Sequence, residues 1–322
     1  MTRLHPSAGQ PRIAVASLSF AGNPTLREEL KAKYANVSFT DSKSVLTGDA
    51  LVAMMRGHDH AIVGLERVDE QVLAQLPELR VISKYGVGLD GIDIDALIRR
   101  GIKLGWTGGV NRRSVAELTL AFAIALFHRV PEGDVALRRG TWNKVVGREL
   151  TGKTIGIIGC GFVGQDLVRL LAPFDCRILV HDIRDYPDFY AAHGVTPVGL
   201  PELLAAADLV TLHVPLDAST RGLIGATELA RMRPGTFIIN AARGGLLDES
   251  ALADALERGH LAGAAADVFQ MEPDANPRLV ALPTFLGTPH IGGASREAQL
   301  AMGRAAIEGL ATARVPGNGW PG

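Results

Sequence analysis

The sequence predicts an α/β fold made of parallel sheets and divided between two domains. Three observations carry that prediction. Short apolar runs alternate with helix-like segments along most of the chain, the pattern of parallel strands covered on both faces by their crossover helices. A glycine signature, Gly159-Cys160-Gly161-Phe162-Val163-Gly164, follows one such run and opens a helix-compatible stretch. The length, 322 residues, exceeds the usual reach of one hydrophobic core.

The first series begins with Ile13–Ala16 as a strand and Thr25–Lys33 as a helix. Val37–Phe39, His60–Val63, Leu79–Ser83 and Gly101–Leu104 supply further strands. Ser114 then precedes Val115–Val130, a nearly all-apolar helical run, and Glu117 three residues after Ser114 predicts a capping box. Pro131 and Gly133 are expected to stop this helix. Its apolar surround requires cover on most sides, which suits a domain or subunit boundary. Arg138–Arg148 reads as an irregular arm around Trp142, reaching another domain or subunit.

A sharper series follows. Thr154–Ile158, Arg177–Val180, Leu209–Leu212, Thr236–Ile239 and Ala262–Ala266 read as strands, and a last apolar, Pro-containing stretch runs up to Thr288. Val163–Leu171, Leu200–Ala206 and Glu249–Arg258 are the helices between them. Ser295–Leu310 is one more amphipathic helix, expected to return to the first domain.

Composition narrows the function. With 47% apolar and 21% charged residues the chain is globular, and a formal net charge of -1 without a basic block excludes nucleic acid as the main partner. Cys160 and Cys176 form neither a disulfide framework nor a zinc pattern, so a reducing, cytoplasmic setting is expected. Met1–Pro11 is polar, with no apolar signal segment. Leu118–Phe127, the most apolar stretch, is about half the length of a bilayer-spanning helix, so no membrane association is expected. No HExxH or GxSxG pattern occurs, which argues against zinc-protease and hydrolase chemistry.

The glycine signature has the context that dinucleotide binding requires. Gly159 permits a tight turn, Gly161 lets the backbone approach a pyrophosphate, and Gly164 allows close helix packing, while the helix N-terminus offers amide donors. Asp182 ends the next strand, placed to accept hydrogen bonds from a ribose and to repel the extra phosphate of NADP. NAD is therefore the expected cofactor. Arg184 is the one nearby group that could approach such a phosphate. Cys160 reads as a space-filling residue of the loop.

Three polar residues follow strands, where open α/β sheets place ligands. Arg243, in Asn240-Ala241-Ala242-Arg243-Gly244-Gly245, either grips an anion with its planar fork or staples the loop. Glu272, before Pro273, could fix the tautomer of His290 in Thr288-Pro289-His290-Ile291-Gly292-Gly293, although spacing alone does not join them. Taken alone, His290 reads as structural or as a surface residue. His213, beside Val214-Pro215, is placed to line a cofactor site rather than a metal centre, and no metal site is expected.

Together these segments resemble the D-isomer-specific 2-hydroxyacid dehydrogenases, in particular the phosphoglycerate dehydrogenase-like branch. Lys84-Tyr85-Gly86-Val87-Gly88-Leu89-Asp90, the glycine loop, Asn240–Gly245, Asp267-Val268-Phe269 with Glu272-Pro273, and Thr288-Pro289-His290 occur in family order. The resemblance implies two Rossmann-like domains, with an NAD-binding domain (109–294) inserted into a discontinuous substrate domain (1–108 and 295–322). It implies a D-2-hydroxy acid and its 2-oxo acid interconverted by hydride transfer, with Arg243, Glu272 and His290 catalytic. Gly86, Val87 and Gly88 would cradle the substrate carboxylate with Arg243 and His290. Gly159, Gly161, Phe162, Val163, Gly164, Asp182, His213, Val214, Pro215 and Thr220 would hold the cofactor. So would Ala241, Ala242, Arg243, Asp267, His290 and Gly292. A homodimer through the central domain is implied as well.

The sequence departs from the branch at Gly64-Leu65, where many phosphoglycerate dehydrogenases carry an arginine-serine pair. Ala266 replaces a larger apolar residue, a packing variation. No C-terminal regulatory domain is expected. A dehydrogenase acting on a phosphorus oxyacid or phosphonate, and a catalytically silent NAD-binding interaction protein, are the alternatives.

Overall fold

The computed structural model describes residues 9–317; most of the polar start Met1–Pro11 and the last five residues lie outside the described residues. Two compact units divide the chain. One runs up to Asn111 and resumes at Ser295, and the other is Arg112–Ala294.

The first unit carries β1 (Arg12–Val15), β2 (Asn36–Phe39), β3 (His60–Val63), β4 (Val81–Lys84) and β5 (Lys103–Gly105). They pair in parallel in the order β2-β1-β3-β4-β5. Alternation along each strand explains the two-sided cover. Ala14 and Ala16 pack into one core with Leu51, Leu73 and Leu97, whereas Ile13 and Val15 pack into the other with Phe20 and Leu30. The terminal helix Arg296–Thr312 supplies Met302, Ala306, Ile307 and Leu310 to that second core. It lies close on the sheet: Ser83 Oγ donates to Ala306 O at 2.7 Å, and a Cβ on Gly105 would strike the Gly309 carbonyl.

The second unit carries β6 (Thr154–Ile158), β7 (Arg177–His181), β8 (Thr196–Pro197), β9 (Leu209–Leu212), β10 (Phe237–Asn240), β11 (Gly263–Ala266) and β12 (Phe285–Gly287). All pair in parallel, in the order β12-β11-β10-β9-β6-β7-β8. Ile155 and Ile157 face a core shared with helix Arg112–Phe127, while Ile158 faces Leu203 and Leu252 on the opposite side. Truncating such a side chain to Ala would cost about 2–5 kcal/mol. The chain runs from β6 to β7 on one side and returns to β9 on the other. Ligands of open α/β sheets bind at this reversal, outside the carboxyl ends of the strands.

Three sequence expectations change. The last strand of the first sheet is Lys103–Gly105, because Gly101, at φ 65°, caps helix Ile94–Arg100 and its N–H reaches the Ile98 and Leu97 carbonyls. The long helix starts at Arg112, so Ser114 lies inside its first turn and is no N-cap; its hydroxyl donates to Gly292 O at 2.6 Å. Pro131 does not end helical structure. It sits in the first turn of a further helix, Val130–Arg138, where its missing N–H costs nothing, and Arg129 at φ 55° makes the corner. The irregular arm therefore begins after Arg138.

No single helix among the described residues is long and apolar enough to cross a membrane. Arg112–Phe127 and Val130–Arg138 reach that length only as a pair bent by 67°, and the first buries Val115, Phe122, Leu126 and Phe127 within its own unit.

Candidate active site

The glycine loop joins β6 to helix Phe162–Leu171. Gly159 has φ 98°, and a Cβ there would lie 2.6 Å from the His213 carbonyl, so only glycine fits. A Cβ on Gly164 would strike the Gly159 carbonyl, which fixes the close packing of helix on loop. Gly161 differs. A Cβ there would meet no protein atom within 4 Å, so the space over it is open to a ligand. Gly161 caps the helix without a side-chain acceptor, leaving the first-turn amides of Phe162 and Val163 for an anion. This cradle fits a dinucleotide pyrophosphate.

Asp182, just after β7, braces the loop from the side. Its Oδ2 accepts from Cys160 N at 2.5 Å and its Oδ1 from Arg184 N at 2.8 Å. Cys160 is fully buried, and burial, with the Asp182 charge, pushes its thiol up to about 12, so it is no nucleophile. After β9, His213 lies against Thr211, with Nε2 3.0 Å from Oγ1. His213 Nδ1 is buried without a partner, and burial pushes the ring down to about 3, so the imidazole is neutral. Val214 and Pro215 continue this loop, and Thr220 closes it by donating Oγ1–H to Pro215 O at 2.7 Å.

After β10, Asn240 organises its own loop. Its Nδ2 donates to Arg243 O at 2.9 Å and its Oδ1 accepts from Ala242 N at 3.2 Å, while Ala241 is buried. Arg243 donates from Nη1 to Ala242 O at 2.7 Å, and its fork is half-buried at the strand end. Gly244 passes so close to the Phe269 carbonyl that no side chain fits there.

Asp267 directly follows β11 and is 1% exposed, yet its carboxylate is fully engaged. Oδ1 accepts from Thr288 Oγ1 at 2.5 Å and Ile291 N at 2.7 Å, and Oδ2 from Gly292 N at 2.7 Å. The residue clamps the turn that carries His290, whose own N–H donates to Asp267 O at 2.8 Å. His290 is held at φ 54°, a left-handed conformation that a non-glycine residue keeps only when its surroundings impose it. Its Nδ1 lies 2.8 Å from Glu272 Oε2; a carboxylate only accepts, so Nδ1 carries the proton. Glu272 is itself fixed, Oε1 accepting from Phe269 N at 3.0 Å. The imidazole is half-exposed, and Nε2 has no hydrogen-bond partner among the described residues. A histidine in this arrangement can take up or release a proton at Nε2.

The fold thus joins Glu272 to His290 and adds Asp267 as the clamp of their turn. Ser114 braces the same turn through the Gly292 carbonyl. Sequence reasoning missed both roles, although a lone Asp directly after an apolar strand was the signal for the first. Gly86, Val87 and Gly88 lie in the other unit, in the loop after β4, with Gly86 at φ 113° and Val87 O accepting from Trp106 Nε1 at 2.8 Å. Among the described residues no cluster of three or more metal-binding side chains occurs.

Residues 120–292 match the family D-isomer specific 2-hydroxyacid dehydrogenase, NAD binding domain. The chain belongs to this family. It is 39% identical over 254 residues to the D-3-phosphoglycerate dehydrogenase of Mycobacterium bovis, covering 78% of this chain and 48% of that one. The chain spans about half the length of the curated phosphoglycerate dehydrogenases it matches. It is 36% identical over 265 residues to the glyoxylate reductase of Thermococcus litoralis, covering 79% and 80% of the two chains. A solved structure of an NADPH-dependent glyoxylate/hydroxypyruvate reductase from Sinorhizobium meliloti, in complex with NADP and malonate, superposes with a TM-score of 0.80 at 28% identity, covering 93% and 92%. Both nicotinamide cofactors are therefore found within this fold family, and the two parallel-sheet units are the family's architecture.

Proposed function

We propose that this chain is a D-2-hydroxyacid dehydrogenase, interconverting a small 2-hydroxy acid and its 2-oxo acid. The observation that carries the reading is the Glu272–His290 pair, with Nδ1 tied to the carboxylate and Nε2 left for the substrate. The nicotinamide supplies hydride acceptance and donation at substrate C2. In oxidation His290 Nε2 takes the hydroxyl proton; in reduction the imidazolium returns it to the 2-oxo oxygen, and Glu272 stabilises the charged ring. Arg243 orients the carboxylate and polarises the oxygen at C2 with its fork. Gly86, Val87 and Gly88 hold the substrate carboxylate.

The cofactor is NAD rather than NADP. Asp182, just after β7, would accept from the adenosine ribose, and a second phosphate there would meet its charge. Gly64 and Leu65 bring no cation to the end of β3, and Leu65 is 76% exposed, so the favoured acid has a short, uncharged substituent rather than a phosphate. A phosphorus oxyacid has no specific feature in its favour. A silent NAD-binding scaffold leaves the His290 geometry without a use. The partner is a second copy of the chain, reached by the helix Val130–Arg138 and the arm after it, on which Leu137, Trp142 and Val146 are 59%, 90% and 83% exposed. Two unpaired thiols suit the cytoplasm.

The test is absorbance of NADH and NADPH against glyoxylate, pyruvate, hydroxypyruvate and phosphohydroxypyruvate, run in both directions. Turnover of an unphosphorylated 2-oxo acid with NADH preferred is expected. Cofactor binding without turnover of any acid contradicts the reading.

A further inference from the structure

Two charged side chains are buried at the carboxyl edge of the first unit's sheet, and the reaction chemistry above uses neither. Lys84, the last residue of β4, is 6% exposed, and Glu66, in the loop after β3, is 1% exposed. Both address one residue, Gly64, through its two flanking peptide groups. Glu66 Oε2 accepts from Gly64 N at 2.5 Å, and Lys84 Nζ donates to Gly64 O at 2.5 Å. Lys84 Nζ also donates to Tyr85 O at 3.2 Å, which draws the ammonium beneath the following turn. A Cβ on Gly86 would stand 3.4 Å from that nitrogen. Gly64 itself has no room for a side chain, since a Cβ would lie 2.6 Å from Ser17 Oγ.

Desolvating an ammonium is expensive, so a buried lysine at this place calls for a structural or functional reason. The adjoining turn gives it a further use. Gly86, at φ 113°, is followed by Val87 and Gly88, and among the described residues none of these three N–H groups donates to a protein acceptor. Successive outward amides at a strand end form an anion-binding concavity. Its depth of potential depends on charge nearby, and the nearest side-chain nitrogen beneath Gly86 is that of Lys84.

We infer that Lys84 is a positioning residue for the carboxylate of the substrate, its buried ammonium setting the field of the Gly86–Gly88 amides while the Gly64 carbonyl, itself fixed through the Gly64 N–H to Glu66, holds it in place. The inference rests on the 2-hydroxyacid reading for the identity of the anion, not for the existence of the anion site. Lys84 touches no reacting atom. It acts through the turn, so its loss weakens binding of a carboxylate and leaves cofactor binding alone.

The experiment compares the 2-oxo acid that the wild type reduces fastest with the methyl ester of that acid, in wild type, Lys84→Met and Lys84→Arg. Lys84→Met is expected to raise KM for the acid by roughly 10- to 100-fold, the range of a charge-assisted contact, with a much smaller change for the ester. Lys84→Arg recovers most of the loss, and NADH affinity by fluorescence titration stays within about twofold in both variants, because the cofactor cradle lies in the other unit. An equal change for acid and ester, or no change in KM, overturns the inference. Should Lys84→Met fail to fold, amide NMR of the wild type decides: oxamate must shift the Val87 and Gly88 resonances and the Lys84 Nζ-linked methylene, and unmoved resonances overturn it. Oxamate shifts in a wild type that reduces no 2-oxo acid support the anion site and reject the proposed reaction instead.

Discussion

The loops after β6 and after β12 end strands of the same sheet and are built in contrasting ways. The glycine loop is shaped by what its residues lack. Gly159 and Gly164 pass where no side chain fits, Gly161 leaves its space open, and the donors are backbone amides. The turn around His290 is shaped by side chains. Asp267, Thr288, Ser114 and Glu272 hold it, and the backbone of His290 itself is forced to φ 54°. A pyrophosphate needs a fixed surface of dipoles, which backbone supplies. A proton transfer needs one atom aimed and its tautomer fixed, which takes hydrogen bonds from separate segments.

Substitutions break this contrast in graded ways. The largest effect short of removing His290 belongs to Arg243→Met, which under the proposed mechanism deletes a charged donor from the reacting carbonyl. Its kcat/KM should fall about 10²- to 10³-fold, with NADH affinity little changed, as read by steady-state kinetics and fluorescence titration. A loss confined to NADH binding would assign Arg243 to the cofactor alone.

Within the glycine loop, Gly164→Val should destabilise the protein by about 1–3 kcal/mol through overpacking against the Gly159 carbonyl. Gly161→Val should leave the thermal midpoint nearly unchanged and abolish NADH binding, since only a ligand fills the space above it. Equal midpoints for the two variants would contradict a loop in which one glycine serves packing and the other serves the ligand.

His213 provides a pH test of the neighbouring wall. Its folded pKa lies near 3, below the unfolded value of 6.5, so the unfolded chain binds the proton first on acidification. The stability it contributes is complete above about pH 6.5 and falls away toward pH 3. Between pH 7 and 5 the loss from this one group is about 2 kcal/mol. Urea unfolding at both pH values, with His213→Phe as the comparison, measures it; a variant with the same pH slope as wild type would refute the neutral buried imidazole.

The smallest effect expected is on cofactor choice. Asp182→Ala should narrow the preference for NADH over NADPH by about tenfold, roughly 1.4 kcal/mol, in kcat/KM. An unchanged ratio would remove Asp182 from the ribose site.

The same contrast explains what the sequence revealed. Backbone-built features leave compositional marks: the glycine spacing, and Asp182 closing the following strand, are visible without a fold. Side-chain-built features do not. Glu272 and His290 stand 18 residues apart and meet only because β11 and β12 are neighbours, and the clamp by Asp267 spans a similar distance. Resemblance to a family named the residues, while spacing could not join them. In the fold, strands read well from apolar runs. Helix boundaries read less well, since Ser114 and Pro131 carry signals that tertiary packing put to other uses. Helix Ile94–Arg100 was legible in principle, from Asp93 as its cap and Gly101 as its stop. Lys84 was a signal too, a charge closing the apolar strand Val81–Lys84.

The central claim is that the turn around His290 performs proton transfer and the glycine loop does not. The most direct measurement is reduction of a 2-oxo acid by the His290→Ala variant, with NADH affinity measured on the same preparation. The account predicts kcat lower by about 10²- to 10⁴-fold with NADH affinity within about twofold of wild type. Retained turnover, or NADH affinity lost in proportion to rate, would contradict it.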